Sequence, residues 1–404
     1  MDTFITVVSM VDLVPFSGYR PSLRDGENIG SRISPPYDVI DTEYLERLRS
    51  DEHNVTHLTL NPVNGRYSGS RKTFDSWIAD GSLIKDKDSF YLYKQKFTAG
   101  GRTMTRTGIV GALRTEPYEN GGIIPHEETF SKVKEDRLNL LRDTETHLES
   151  IFGIFEGLSE GLNARIERTA EKLYVYEDDG KVEHSFFRIS DKDVTDSISE
   201  EMKERKMLIA DGHHRYETAL NYSLEHPDDI KKGYVLATLV SSDDPGLVIW
   251  PTHRLLNSDC ISETTAVKKI GEVLQLKETS SIDEMIGELT DWHMGLLFRS
   301  GKCYLARYNG SDDPLWSLDT YIAQELIIKG IYGYEEGEVI VSFDAEFGSV
   351  KKRMEKGKHD LAIILNTPSL KKIWDLSAIG KRMPKKTTYF YPKIWSGFVF
   401  YEMR

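Results

Sequence analysis

The sequence predicts a mixed α/β (α+β) fold, with strands and helices interleaved around mixed sheets rather than one regular doubly wound sheet. Three observations predict it. Short apolar or β-branched runs alternate with amphipathic helical stretches through all 404 residues. Gly- and Pro-rich breaks separate them, with no internal repeat and no low-complexity tract. The composition, 39% hydrophobic and 29% charged, is that of an ordinary globular chain.

In chain order, Thr42 to Ser50 and Arg71 to Ala79 read as short helices, the second ended by Gly81. Ser89 to Phe97 and Arg106 to Arg114 are rich in aromatic and β-branched residues and read as strands, with Gly100-Gly101 as the loop of a hairpin. Thr115 to Pro125 concentrates Pro, Gly and Asn and marks a domain boundary. Residues 1–115 are therefore expected to form an N-terminal α+β domain and 116–404 a second region, with room for an inserted subdomain around 255–345. Beyond the boundary, Lys134 to Leu148 has a helical pattern and Ile151 to Glu156 reads as a strand. Ile189 to Lys206 is charged and helix-like; it feeds the apolar strand Met207 to Ala210, and a helix from Tyr216 to His226 follows. Tyr234 to Ser241 and Leu247 to Trp250 read as strands, 262–290 as two amphipathic helices, and 293–308 as a hairpin on Ser300-Gly301. Phe347 to Lys356 is a basic helix and Leu361 to Leu365 a buried strand. From Met383 on lies the densest cluster of Pro, Lys, Thr and Tyr in the chain.

Charge and cysteine content narrow the function. A formal net charge of -13 argues against a broad nucleic-acid footprint, which needs clustered Lys and Arg, but leaves room for a small anionic ligand. The two cysteines, Cys260 and Cys303, match no metal or redox spacing, so a disulfide framework is excluded and a reducing cytoplasm is the expected compartment. No apolar run reaches the roughly 20 residues of a membrane helix. The first fifteen residues are interrupted by Asp2 and Asp12, without the basic start and cleavage site of a signal peptide.

The most informative segment is Leu208-Ile209-Ala210-Asp211-Gly212-His213-His214-Arg215-Tyr216-Glu217. A short apolar strand runs into Asp-Gly, then a cationic triplet, then a helix. A helix start offers free N–H donors and partial positive charge to an anion. Gly212 lets the backbone turn sharply, Arg215 can grip a phosphate with a fork of N–H groups, and His213 and His214 add donors. The plain alternative is a turn capped by Asp211 with two surface histidines.

Ile124-Pro125-His126-Glu127-Glu128-Thr129 pairs a carboxylate with an imidazole behind a stiff proline, an arrangement suited to a general base. The competing reading is a loop with a helix cap at Thr129 or Ser131. Lys132, Lys134 and Arg137 just downstream are either ligand contacts or one basic helix face. Near the end, Pro384-Lys385-Lys386-Thr387-Thr388 offers cations and hydroxyls, or is a basic surface loop before a final strand. His53 and His57 lie four apart in a segment with no helical apolar face, so packed or polar histidines are expected there rather than a metal site. Tyr37, Asp38 and His253 are read first as turn, cap or core residues.

The chain resembles, along essentially its whole length, a widespread bacterial and archaeal family of unknown function. The segments that carry the likeness are Ile33-Ser34-Pro35-Pro36-Tyr37-Asp38-Val39-Ile40, Pro125-His126-Glu127 with Asp136-Arg137-Leu138, Asp211 to Glu217, Pro251-Thr252-His253-Arg254, and Met383 to Lys393. From about residue 120 it also resembles the archaeal free serine kinases of the ParB/sulfiredoxin superfamily. P-H-E, D-G-H-H-R and P-K-T-T segments follow in the same order, the last differing here by one inserted or substituted Lys.

That resemblance implies a ParB/sulfiredoxin-like core preceded by an additional N-terminal domain, and nucleotide-dependent phosphoryl transfer to a small hydroxylated substrate, free L-serine first. It implies Glu127 as catalytic carboxylate with His126 beside it. Asp211, Gly212, His213, His214 and Arg215 become the nucleotide-phosphate loop, and Lys385, Lys386, Thr387 and Thr388 a loop near the substrate. ATP or ADP is the implied donor, with Mg²⁺ arriving on the nucleotide phosphates. Reverse transfer or phosphoserine hydrolysis at the same site, and a non-enzymatic ParB-like nucleotide-binding module, are the alternatives. Sulfiredoxin chemistry would need a cysteine where His213 stands, and a DNA-binding ParB role a basic helix-turn-helix. The expected partners are small molecules, with neither nucleic acid nor membrane, and a dimer is left open.

Overall fold

The computed structural model describes residues 11–129, 131–257, 261–333 and 341–404, with 131–133 described by their backbone alone. Strands Phe90–Ala99 and Arg102–Arg114 pair antiparallel around Gly100 and Gly101, whose φ values of 56° and 74° suit glycine and close the expected hairpin. This hairpin lies within a mixed sheet. Among the described residues its strands run in the order Ile123–Ile124, Met207–Asp211, Ile151–Phe155, Tyr234–Ser241, Arg102–Arg114, Phe90–Ala99, Glu183–Ile189, Glu171–Glu177, and Leu13–Val14 also pairs with Arg102–Arg114. Met207–Asp211 is parallel to Ile123–Ile124, Tyr234–Ser241 is parallel to Ile151–Phe155, and the other pairs are antiparallel.

The described chain divides into two units. The first takes its residues from 1–125, 129–248 and 392–404, the second from 126–128 and 249–391. The boundary expected near residue 115 falls inside the first unit. Val235 pairs with Leu113 and Leu13 pairs with Leu113 from the other side, so residues before and after that break share one sheet. The second unit is broader than the subdomain expected around 255–345.

In the first unit both faces of the sheet are covered, and strand alternation sorts side chains between two cores. Phe90, Leu92, Ile109, Leu113, Val235, Ala237 and Leu239 face one core. It is sealed by Leu162 and Ile166 of helix Glu160–Thr169 and by Val194 and Ile198 of helix Lys192–Met202. Tyr91, Tyr93, Val110, Ala112 and Leu236 face the other, under Phe398, Val399 and Tyr401 of the C-terminal segment.

The second unit is built on an antiparallel sheet ordered Gln275–Thr279, Cys303–Arg307, Met294–Phe298, Leu361–Leu365, His253–Leu256, Val341–Asp344. Leu361, Ile363 and Leu365 pack on one face with Ala266 and Ile270 of helix Glu263–Val273 and with Ile322 and Ile327. Ala362 and Ile364 pack on the opposite face with Met285 of helix Ile282–Glu288 and Val350 of helix Phe347–Glu355.

Three elements depart from the sequence expectation. Gln275–Thr279 is a strand inside a stretch read as two helices, because pairing with Cys303–Arg307 overrides its polar composition. Helix Ser131–Thr144 stops short of Leu148: Glu145 takes a φ of 48°, and Thr146–His147 pairs with Tyr401–Glu402. The helix after Asp211 starts at His213 rather than Tyr216. Among the described residues no helix is long and apolar enough to cross a membrane.

Burial favours the neutral form of His147 and His253 in the fold. His147 and His253 are each pushed down to about 4, chiefly by loss of water, and His253 Nδ1 accepts the Leu365 N–H at 3.1 Å. In the unfolded chain a histidine protonates near pH 6.5. The folded values lie below that, so the stability they carry is whole above about pH 6.5 and is lost as pH falls toward 4, up to about 3 kcal/mol for each. Urea unfolding midpoints should therefore hold level from pH 8 to about 6.5 and drop steadily below it, and His253→Gln should flatten part of the drop. A level profile down to pH 4 would show these rings to be solvated.

Candidate functional site

In the first unit, strand Met207–Asp211 is buried through Ala210 and ends at a turn on Gly212. Gly212 has φ 89° and occupies the N-cap of helix His213–Glu225, contributing no capping side chain. Asp211 is thus one residue outside the cap. Its Oδ2 accepts from Lys393 Nζ at 2.6 Å, and its Oδ1 lies 3.8 Å from the Arg215 guanidinium. Arg215 also donates to the Ser150 carbonyl and folds back over the turn. A Cβ at Gly212 would meet Arg215 Nη2 at 3.0 Å and Nε at 3.1 Å. Gly212→Ala should therefore destabilise the protein by about 1–2 kcal/mol through the left-handed backbone alone, and should displace Arg215 as well. Urea unfolding checks the first effect, and an unchanged midpoint would contradict it.

The helix that follows is tied down along its length. Tyr216 Oη donates to the Glu116 carbonyl at 2.7 Å, and Glu217 accepts from Thr129 Oγ1 at 2.7 Å and Lys134 Nζ at 3.0 Å. His213 is buried and His214 half-buried. Lys134 is thereby engaged within the protein. Arg137, buried, bonds Asp136 and the Tyr67 hydroxyl and lies 4.6 Å over the Tyr37 ring. The Lys132 side chain lies outside the described residues.

Two residues that the sequence left without a role shape this turn. Arg106, 1% exposed, donates to Gln95 Oε1 and the Pro392 carbonyl, and Gln95 Nε2 donates to the Lys393 carbonyl at 2.8 Å. Burial pulls the Arg106 guanidinium down to about 10. A buried cation thus fixes the chain where Lys393 reaches Asp211. The signal was present as an arginine at the start of an apolar strand, but nothing local says which distant carbonyl it binds.

In the second unit three segments remote in sequence meet. Glu127 Oε1 accepts the backbone N–H of Thr387 at 3.1 Å and its Oε2 that of Lys386 at 3.3 Å. Lys386 has φ 57°, so the turn is tight enough to aim two successive amides at one carboxylate. His126 is fully buried; its Nε2 lies 3.0 Å from Thr388 Oγ1 and 3.5 Å from Glu127 Oε1, and its carbonyl accepts the Met383 N–H at 2.8 Å. Thr387 Oγ1 donates to the Pro384 carbonyl at 2.5 Å and lies 3.4 Å from Thr320 Oγ1. From the third segment, the buried Arg254 donates to the Thr252 carbonyl and, at 3.2 Å, to the Lys385 carbonyl. Glu127 is therefore held in one orientation by backbone donors beside this turn.

The structure thus joins His126 and Glu127 to Lys385, Lys386, Thr387 and Thr388 within the second unit, and makes Asp211, Gly212, His213, His214 and Arg215 one strand-to-helix turn of the first. His253 is a buried strand residue. His53 Nε2 is 2.9 Å from Ser82 Oγ with its ring against Trp77, and His57 Nε2 is 3.1 Å from the Asp51 carbonyl. Among the described residues no group of three or more His, Cys, Asp or Glu is placed to hold a metal. Cys303 is buried and free, its thiol pushed up by burial; Cys260 lies outside the described residues.

The chain belongs to the family described as protein of unknown function (DUF1015), whose model matches residues 13–321. No curated protein matches it. Among solved structures, it is similar to a conserved hypothetical protein from Pyrococcus furiosus at 14% identity and a TM-score of 0.39, over 68% of this chain and 89% of that one. A free serine kinase in complex with AMP matches at 15% identity and a TM-score of 0.38, over 69% of this chain and 89% of that one. SbnI from Staphylococcus aureus, truncated at its C-terminus, matches at 9% identity and a TM-score of 0.38, over 71% and 85%.

Proposed function

We propose that this DUF1015 protein is a nucleotide-dependent phosphotransferase acting on a small hydroxylated substrate, with free L-serine as the leading candidate and ATP or ADP as donor. One observation carries the reading: the Glu127 carboxylate accepts a backbone N–H from Thr387, 260 residues away, so the P-H-E and P-K-K-T-T segments form one built feature. A carboxylate fixed by two amides, beside a turn bearing two lysines, is what proton abstraction next to developing phosphate charge requires.

The roles follow from the residues. Arg215 and the amides at the start of helix His213–Glu225 take phosphate oxygens, with Gly212 allowing close approach and Asp211 setting Arg215 and Lys393. His213 and His214 add donors at the same helix start. Glu127 accepts the substrate hydroxyl proton as that oxygen bonds to phosphorus and the nucleotide leaves with the bridging oxygen. Lys385 and Lys386 neutralise charge there, Thr387 and Thr388 hold the turn that carries them, and His126 anchors Thr388. Mg²⁺ enters with the nucleotide, whose phosphates supply its oxygen ligands. The same groups serve transfer in either direction.

Incubating the purified chain with ATP or ADP, Mg²⁺ and L-serine, L-threonine or L-homoserine tests the reading. Mass spectrometry should find O-phosphoserine. Absence of a phosphorylated product with every acceptor and either nucleotide would contradict it.

A further inference from the structure

Within the second unit, a cavity of about 720 Å³ opens among residues 290–293, 317–320 and 366–372. Its size suits a small metabolite. Four charged side chains line it: Arg307, Lys372, Asp291 and Asp319. Among the described residues no ion pair joins them. Arg307 donates instead to the Asp291 backbone carbonyl and lies 4.7 Å over the Trp292 ring, and Lys372 donates to the Ser317 carbonyl. Two cations and two carboxylates thus line one cavity with neutral anchors and no direct ion pair between them.

Hydrogen bonds tie the cavity walls together. Asn366, at the end of the buried strand Leu361–Leu365, donates through Nδ2 to Asp319 Oδ2 at 2.9 Å and to the Trp292 carbonyl at 2.8 Å. His293 Nδ1 accepts the Tyr308 N–H at 3.1 Å, which leaves the ring proton on Nε2 as a further donor. Burial pushes the Asp319 carboxyl up to about 6, although Asn366 and the charge of Lys372 offset part of that push, so a further cation beside it would favour the ionised form. Thr320, also in the wall, lies 3.4 Å from Thr387 Oγ1 and so adjoins the turn that holds Glu127.

We propose that this cavity binds a free amino acid as its zwitterion, the carboxylate against Lys372 and Arg307 and the ammonium against Asp319. Opposite charges that share a cavity without a direct ion pair are matched by a ligand carrying both at a fixed separation. The proposal stands apart from phosphoryl transfer, because it asks nothing of a hydroxyl.

Calorimetric titration of the full chain with L-alanine, L-serine and L-glutamate, without nucleotide, tests it. Propionate and ethylamine serve as single-charge controls. At least one amino acid should bind, about ten-fold or more tighter than either control, and Lys372→Met and Asp319→Asn should each weaken it by about ten-fold or more. Lys372→Arg should retain binding, which separates a lost contact from a lost fold. No binding by any of the three, controls that bind as well as the amino acids, or affinities unmoved in both variants would overturn the proposal.

Discussion

Glu127→Gln should lower turnover by roughly 10²–10⁴-fold, the usual worth of a positioned proton acceptor, while nucleotide affinity stays that of the wild type. The carboxylate accepts two amide N–H groups through different oxygens. Glutamine keeps one acceptor but turns an NH₂ toward the other amide and cannot take a proton. Some loosening of the turn is expected, so Glu127→Asp serves as the second variant: it restores the base on a shorter arm and should recover part of the rate. Steady-state kinetics with separate nucleotide binding curves measures both effects. Wild-type turnover in Glu127→Gln would make this carboxylate a clamp for the Lys386–Thr387 turn and nothing more.

Arg215→Ala should raise the nucleotide dissociation constant by about 2–5 kcal/mol, roughly 30-fold to several thousand-fold, because a largely desolvated charged contact is lost. The Arg215 side chain is only 14% exposed and already donates to the Ser150 carbonyl, so its fork is preorganised rather than gathered on binding. Arg215→Lys separates charge from geometry. It should lose most of the affinity too, since a lysine cannot keep Ser150 and grip a phosphate together. Unchanged affinity in both variants would place the phosphates elsewhere.

What the sequence made legible was local. The Gly100-Gly101 hairpin and the strand Leu361–Leu365 stood out because glycine pairs and continuous apolar runs have few alternative structures. The strand-to-helix turn at Gly212 was equally readable. Long-range pairing was not. Nothing near residue 115 shows that Leu113 lies between Leu13 and Val235, so a Pro- and Gly-rich break looked like a domain boundary. Gln275–Thr279 looked helical because its polar residues become a strand only beside Cys303–Arg307. At the candidate site, Glu127 and the P-K-K-T-T segment could be named, but the amides that hold the carboxylate could not. Arg106, Gln95 and Arg254 act through backbone carbonyls, and a carbonyl leaves no mark on the residue type that carries it. The cavity beside Asp319 was invisible too: its walls come from separate strands, helices and loops, none distinctive alone.

The account turns on where a nucleotide's phosphates and a substrate's hydroxyl come to rest. A crystal structure with ADP and L-serine bound answers that directly. The expected result has phosphate oxygens at about 3 Å from the Arg215 guanidinium and the amides that open helix His213–Glu225, with the serine hydroxyl in hydrogen-bond reach of Glu127. Phosphates bound away from that helix start, or a serine hydroxyl remote from Glu127, would contradict it.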